Sequence, residues 1–102
     1  MAFESGTLDA TLAAAAGEDS ALLGELRTAF IESVARQADL LRRSRCDGNW
    51  AVSAMRLKGL AASFHAEDLL ALAEEALAGV PSDPAILRKI DAKLASYGGK
   101  PA

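Results

Sequence analysis

The chain contains one cysteine and one histidine in 102 residues, and that scarcity removes several kinds of chemistry. Cys46 has no second thiol with which to form an internal disulfide, and Cys46 with His65 supplies too few ligands for a four-coordinate zinc site. No structural metal and no cofactor are expected. β-Branched residues are few, which disfavours a sheet protein. The apolar run Ala13-Ala14-Ala15-Ala16 is far too short for a signal core or a membrane span, and Met1-Ala2-Phe3-Glu4-Ser5-Gly6 has no basic region. A cytoplasmic location with no membrane association is the expectation. The formal charge is −3, and the basic residues are dispersed or balanced by acids, so nucleic acid is not an expected partner. The densest basic cluster, Arg42-Arg43-Ser44-Arg45, falls at the expected end of a long helix, where cations complement the dipole. There is no nucleophile elbow, phosphate loop or His-x-x-His pair. The carboxylate pairs Glu67-Asp68 and Glu74-Glu75 read as helix-start and solvent-facing positions rather than as a catalytic dyad. An enzyme is not expected.

What remains is a chain dominated by Ala and Leu, with 51% apolar and 25% charged residues, long enough for one domain with its own core. Ser5 or Thr7 could cap a short first helix over about 7–16, with Leu8 and Leu12 as its apolar pair and Gly17 as its stop. A long helix over about 20–44 starts at Asp19 or Ser20. Leu22, Leu23, Leu26, Phe30, Val34, Gln37 and Leu41 follow at spacings of three and four, and Gln37 on that track needs a partner or an edge position. Cys46-Asp47-Gly48-Asn49 reads as a turn, with Asn49 capping a helix from Trp50 to about Phe64. The next helix opens at Ala66-Glu67-Asp68 and buries Ala66, Leu69, Leu70, Ala73, Leu77 and also Ala76. Gly79 and Pro81 end it, and Asp83-Pro84 reads as N-cap and first residue of a last helix over about 84–97. Its core side is Ile86, Leu87, Ile90, Leu94 and Tyr97. The expected fold is therefore all-α: an antiparallel up-down four-helix bundle over about 20–97 with a short additional N-terminal helix closing one end. Residues 98–102 are expected to be a frayed tail.

The helix from Trp50 is the informative one, because it carries two apolar faces. At about 100° per residue, Trp50, Ala54, Leu57, Ala61 and Phe64 share a sector of roughly 80°, an ordinary core stripe. Val52, Met55, Gly59, Ala62 and Ala66 share a second sector centred roughly 160° away. Arg56 and Ser63 border that sector on one side and Lys58 on the other. Gly59 inside a helix costs about 1 kcal/mol relative to Ala, a cost that makes sense if a partner must approach the backbone closely. The alternatives are that the N-terminal helix covers this strip or that Gly59 is simply tolerated.

The segment Leu57-Lys58-Gly59, with Ala61-Ala62-Ser63-Phe64 and Ala66-Glu67-Asp68-Leu69-Leu70, resembles the signature of histidine phosphotransfer (HPt) domains over about residues 17–96. In that pattern the phosphorylatable histidine stands two residues before the Leu of Leu-Lys-Gly. Here that position is Met55. The resemblance implies a helical bundle of two-component phosphorelays whose partners are response-regulator receiver domains and histidine kinases. It also implies that Gly59 gives the partner room and that Lys58 stands beside the reacting position. A thioether has no nitrogen lone pair and cannot form a phosphoramidate, so position 55 carries no phosphate.

The reading that follows is a monomeric docking protein without phosphotransfer, binding through Val52, Met55, Arg56, Lys58, Gly59 and Ala62. One alternative is phosphotransfer through His65, the only histidine. It lies ten residues beyond Met55, about 15 Å of helical rise and about 80° around the axis. His65 and Cys46 otherwise read as residues of a helix end and a turn. A second alternative is a bundle that associates with itself through the Met55 strip.

Overall fold

The computed structural model describes residues 2–98, with side chains from Thr7 onward. Residues 99–102 of the expected tail lie outside them. Five helices follow in order, α1 (Ala2–Ala16), α2 (Ser20–Arg42), α3 (Asp47–Ser63), α4 (Glu67–Ala78) and α5 (Pro84–Ser96), with no strand among the described residues. The all-helical class is thus as expected.

Local chemistry accounts for most of the helix ends. Asp19 stands in extended backbone and accepts the N–H of Leu22 at 3.0 Å, so it is the N-cap of α2. Asp83 likewise accepts the N–H of Ala85 at 3.0 Å, with Pro84 at the first helical position, where its missing N–H costs nothing. Gly17 sits at φ +64° and returns its N–H to the Ala13 carbonyl at 2.9 Å, the left-handed stop that glycine permits.

Two starts differ from the expectation. α1 begins at Ala2, so neither Ser5 nor Thr7 caps it, and Thr7 is an interior position whose hydroxyl is used elsewhere. α3 begins at Asp47 rather than Trp50, and its N-cap is Cys46 rather than Asn49. Cys46 is extended at φ −148° and its Sγ accepts the N–H of Asn49 at 3.5 Å, a weak sulfur cap one turn earlier than a side-chain oxygen would place it.

The buried stripes are close to those expected. Phe30, Val34 and Leu41 of α2, Trp50, Ala54, Leu57 and Ala61 of α3, Leu69, Ala73 and Ala76 of α4, and Ile86, Ile90 and Leu94 of α5 are all buried. On α2 the core track passes through Ala38 instead of Gln37, while Leu22 is exposed and Leu23 and Leu26 are half-buried. Gln37 does not find the partner it needs: its Oε1 is buried without a hydrogen bond. Leu70, Leu77, Leu87 and Phe64 pack against the core while remaining partly accessible.

α2, α3, α4 and α5 touch in a ring, each against the next and α5 back against α2, while α1 lies on α2 and α4. Cross-helix pairs tie neighbours in this ring together. Trp50 at the start of α3 donates its indole N–H to the Ala76 carbonyl near the end of α4 at 2.9 Å. That carbonyl belongs to the last turn, where no intrahelical donor remains, so the indole both fills the core and satisfies an orphan acceptor. Lys93 of α5 meets Asp68 of α4 at 3.2 Å, and Lys89 meets Glu75 at 2.9 Å. The acids at the start of α4 and on its outer side therefore tie helices together. Arg42 pairs with Asp91 on α5, and Arg43 pairs with Asp39 one turn back on its own helix at 3.3 Å. The cluster at the end of α2 is thus more than a dipole cap.

At the opposite end Phe30, Phe64 and Tyr97 stack from α2, the end of α3 and the end of α5, with ring centroids 4.8 Å and 5.5 Å apart. α1 adds Leu8 and Leu12, both fully buried, to the same core. These contacts are compatible with the expected four-helix bundle carrying an N-terminal helix. Leu57 is fully buried at the middle of α3. Leu57→Ala should lower stability by about 2–5 kcal/mol through lost burial and an unfilled cavity, read as a fall in urea midpoint with an unchanged slope.

Candidate functional site

The core stripe of α3 sets the helix's rotation, and rotation sets what faces outward. With Ala54, Leu57 and Ala61 fully enclosed, the opposite positions lie in solvent: Val52 is 48% exposed, Met55 57%, and Gly59 and Ala62 are also exposed. α1 does not cover this face, since it packs on α2 and α4 and not on α3. The strip is therefore an open apolar surface along about three turns of helix. Ala66, assigned by periodicity to this face and also to the buried side of the following helix, takes the second place: it is fully buried, because the chain leaves α3 after Ser63 and Ala66 becomes the N-cap of α4.

Gly59 has open space around it. A Cβ built on Gly59 meets no atom within 4 Å, so nothing among the described residues requires glycine there. Its helical cost of about 1 kcal/mol has no intramolecular return. Lys58 is drawn to the α4 side and lies 3.8 Å from Glu74, both side chains being substantially exposed. Such a surface pair contributes about 0–1 kcal/mol and leaves the ammonium near the edge of the strip. Arg56 lies on the α2 side, exposed and without an ion pair among the described residues.

On that side the structure adds residues that sequence reading missed. A groove of about 320 Å³ runs between the end of α2 and the start of α3, with Leu40, Val52 and Ser53 in its walls and Arg43 and Arg56 among its lining side chains. Periodicity gave no warning of it: Leu40 falls off the α2 core track, Ser53 falls between the two faces of α3, and Arg43 reads as a helix-end cation. The groove lies beside the short turn, 43–46, that joins α2 to α3.

His65 is placed away from the strip. It follows the C-cap Phe64 with φ +56°, in left-handed backbone that a non-glycine residue enters at a cost of about 1–2 kcal/mol. The N–H of His65 goes to the Ala62 carbonyl at 3.2 Å and that of Ala66 to the Ala61 carbonyl at 2.9 Å, the paired bonds of a Schellman end. Two threonines of α1 hold this corner. The Thr7 hydroxyl donates to the His65 carbonyl at 2.8 Å, and Thr11 Oγ1 lies 2.9 Å from His65 Nδ1. The same Thr11 hydroxyl also donates to the Thr7 carbonyl one turn back at 3.0 Å. The histidine thus joins α1 to the α3–α4 corner.

Cys46 is an exposed N-cap, and the described residues contain no group of three or more His, Cys, Asp or Glu side chains able to hold a metal ion. No described helix is long and apolar enough to cross a membrane. Neither a protein-family model nor a curated protein nor a solved structure matches the chain.

Two expectations follow from these geometries. Gly59→Ala should raise stability by about 0.5–1 kcal/mol, seen as a higher melting temperature, since the methyl group enters free space and removes unfolded-state entropy. His65→Ala should lower stability by about 1 kcal/mol, because it loses the Thr11 bond and keeps the left-handed strain, whereas His65→Gly loses the bond and relieves the strain, leaving stability nearly unchanged. Denaturant titration of the two variants separates these effects.

Proposed function

We propose that the chain is an HPt-like two-component signalling protein, an antiparallel up-down four-helix bundle with an additional N-terminal helix, that docks a receiver domain or a histidine kinase without carrying phosphate. The observation that carries this reading is the open strip of Val52, Met55, Gly59 and Ala62, on the face of α3 opposite a sealed core stripe. Apolar side chains exposed together between cations are features of a binding surface. Glycine in the centre of the strip lets a partner approach the helix backbone, and nothing among the described residues competes for that space.

The roles divide by chemistry. Val52 and Met55 supply the apolar contact, and the flexible, polarisable thioether adapts to an imperfectly matched surface. Arg56 and Lys58 flank it as exposed cations, suited to the acidic rim that surrounds the aspartate of a receiver domain. Position 55 lacks a nucleophilic nitrogen, so the interaction ends in binding rather than transfer. Phosphotransfer through His65 is the less supported alternative, because that imidazole uses Nδ1 to anchor α1 and stands beyond the end of α3. In this reading the protein acts as a cytoplasmic monomer.

The test is to mix the purified protein with phosphorylated receiver domains and with histidine kinase dimerisation regions, following label and complex formation together. Binding without transfer of label is expected, and Met55→Glu should weaken it by about tenfold or more by burying a charge at the contact. Acid-labile label that appears on the protein and is lost in His65→Ala would replace docking with transfer. Complexes formed equally well by Met55→Glu, or concentration-dependent sedimentation of the protein alone with no partner bound, would remove the basis for this assignment.

A further inference from the structure

The groove between α2 and α3 borders the Met55 strip but has a different character. Its lining contains two guanidinium groups, Arg43 at the end of α2 and Arg56 on α3, and no carboxylate. Asn49 adds an amide, and Ser53, only 6% exposed, stands among the lining residues. Leu40 and Val52 are both exposed, so the walls are partly apolar. The charge is notable in a chain whose net charge is −3. Neither guanidinium is committed to the core: Arg56 has no ion pair among the described residues, and Arg43 is 70% exposed and tied only to Asp39 of its own helix. A pair so exposed contributes little to stability and is readily exchanged for another carboxylate.

We propose that this groove is a binding site for an acidic, aliphatic-containing segment of a protein partner. One aspartate or glutamate side chain reaches Arg56 and Arg43, and a neighbouring aliphatic side chain lies between Leu40 and Val52. Charge complementarity selects the occupant. Cations without a carboxylate in the lining repel a basic segment, and the apolar walls distinguish a peptide from a small free anion. Val52 belongs both to this groove and to the outer strip of α3, so a partner on the strip can extend a loop into the groove without leaving the surface. The site goes beyond the docking of a receiver or kinase on α3 and stands or falls separately from it.

The probe is a short synthetic peptide of alternating leucine and aspartate pairs, titrated into the ¹⁵N-labelled full chain and followed by amide chemical shifts. Its controls are the same peptide with lysine for aspartate, sodium acetate and inorganic phosphate. Saturable shifts at Arg43, Ser44, Asn49, Val52 and Arg56 are expected with the aspartate peptide. Arg56→Glu should weaken binding by about tenfold or more, and Arg43→Gln by less, with both variants retaining a dispersed amide spectrum. Arg88→Glu, exposed on α5 and outside the groove lining, should leave peptide affinity within about twofold. Equal binding of the lysine peptide, no saturable shifts, shifts confined to another face, or an unaffected Arg56→Glu would overturn the proposal. Acetate or phosphate that reproduces the same shifts at comparable affinity would also overturn it, leaving a small-anion site only. If the aspartate peptide binds as expected while receivers and kinases do not bind, the α3 docking reading fails and the groove assignment stands. Partner binding lost in Met55→Glu with no peptide in the groove gives the reverse result.

Discussion

The structure depends on how tightly one side of α3 is held. Trp50, Ala54, Leu57 and Ala61 are sealed between α2 and α4, two of them small enough to let the neighbouring helices close in and one anchored by its indole to a carbonyl at the end of α4. A helix clamped along one stripe has no rotational freedom left, so the direction of every other side chain on it follows. Val52, Met55, Gly59 and Ala62 face outward for that reason. Arg56 is directed towards α2 and Lys58 towards α4 as part of the same constraint.

The two ends of the molecule are built differently. Where α3 gives way to α4, the chain turns through a left-handed histidine instead of glycine, and α1 lies over the corner with two threonines bonded to that residue. Strain in the turn is set against hydrogen bonds that a glycine could not make through a side chain. At the other end, the space beside the turn between α2 and α3 is a groove with cationic and apolar walls. Closure at one end and openness at the other leave the accessible chemistry on the outer side of α3 and at the α2–α3 junction.

Much of the candidate strip was legible in advance because helical periodicity acts through local geometry. A spacing of three and four residues specifies a face whatever the neighbours are, and the division between Leu57 and Met55 needed nothing else. Ala66 was rightly read as buried on the next helix, and its second placement on the strip came from extending the periodicity past a helix end, which a single non-glycine residue at positive φ produces without a strong sequence signal. Cys46 went unrecognised as a cap because a thiol is a weak acceptor compared with the oxygen of Asn49 three residues later. The interhelical ion pairs and the groove join residues far apart in the chain or facing each other across a turn, and local spacing carries no information about them.

By itself the sequence determined the helical class, the approximate number and order of the helices, most of the core stripes and the absence of a nucleophilic nitrogen at position 55. Composition, capping chemistry and periodicity are properties of short segments, and residues within a few turns settle them. Tertiary structure alone decided which faces stay uncovered. It laid α1 on α2 and α4 and left α3 open, bonded His65 to Thr7 and Thr11, and set Arg43 and Arg56 about one groove. Those outcomes depend on the relative positions of whole helices, which packing of side chains from distant parts of the chain selects.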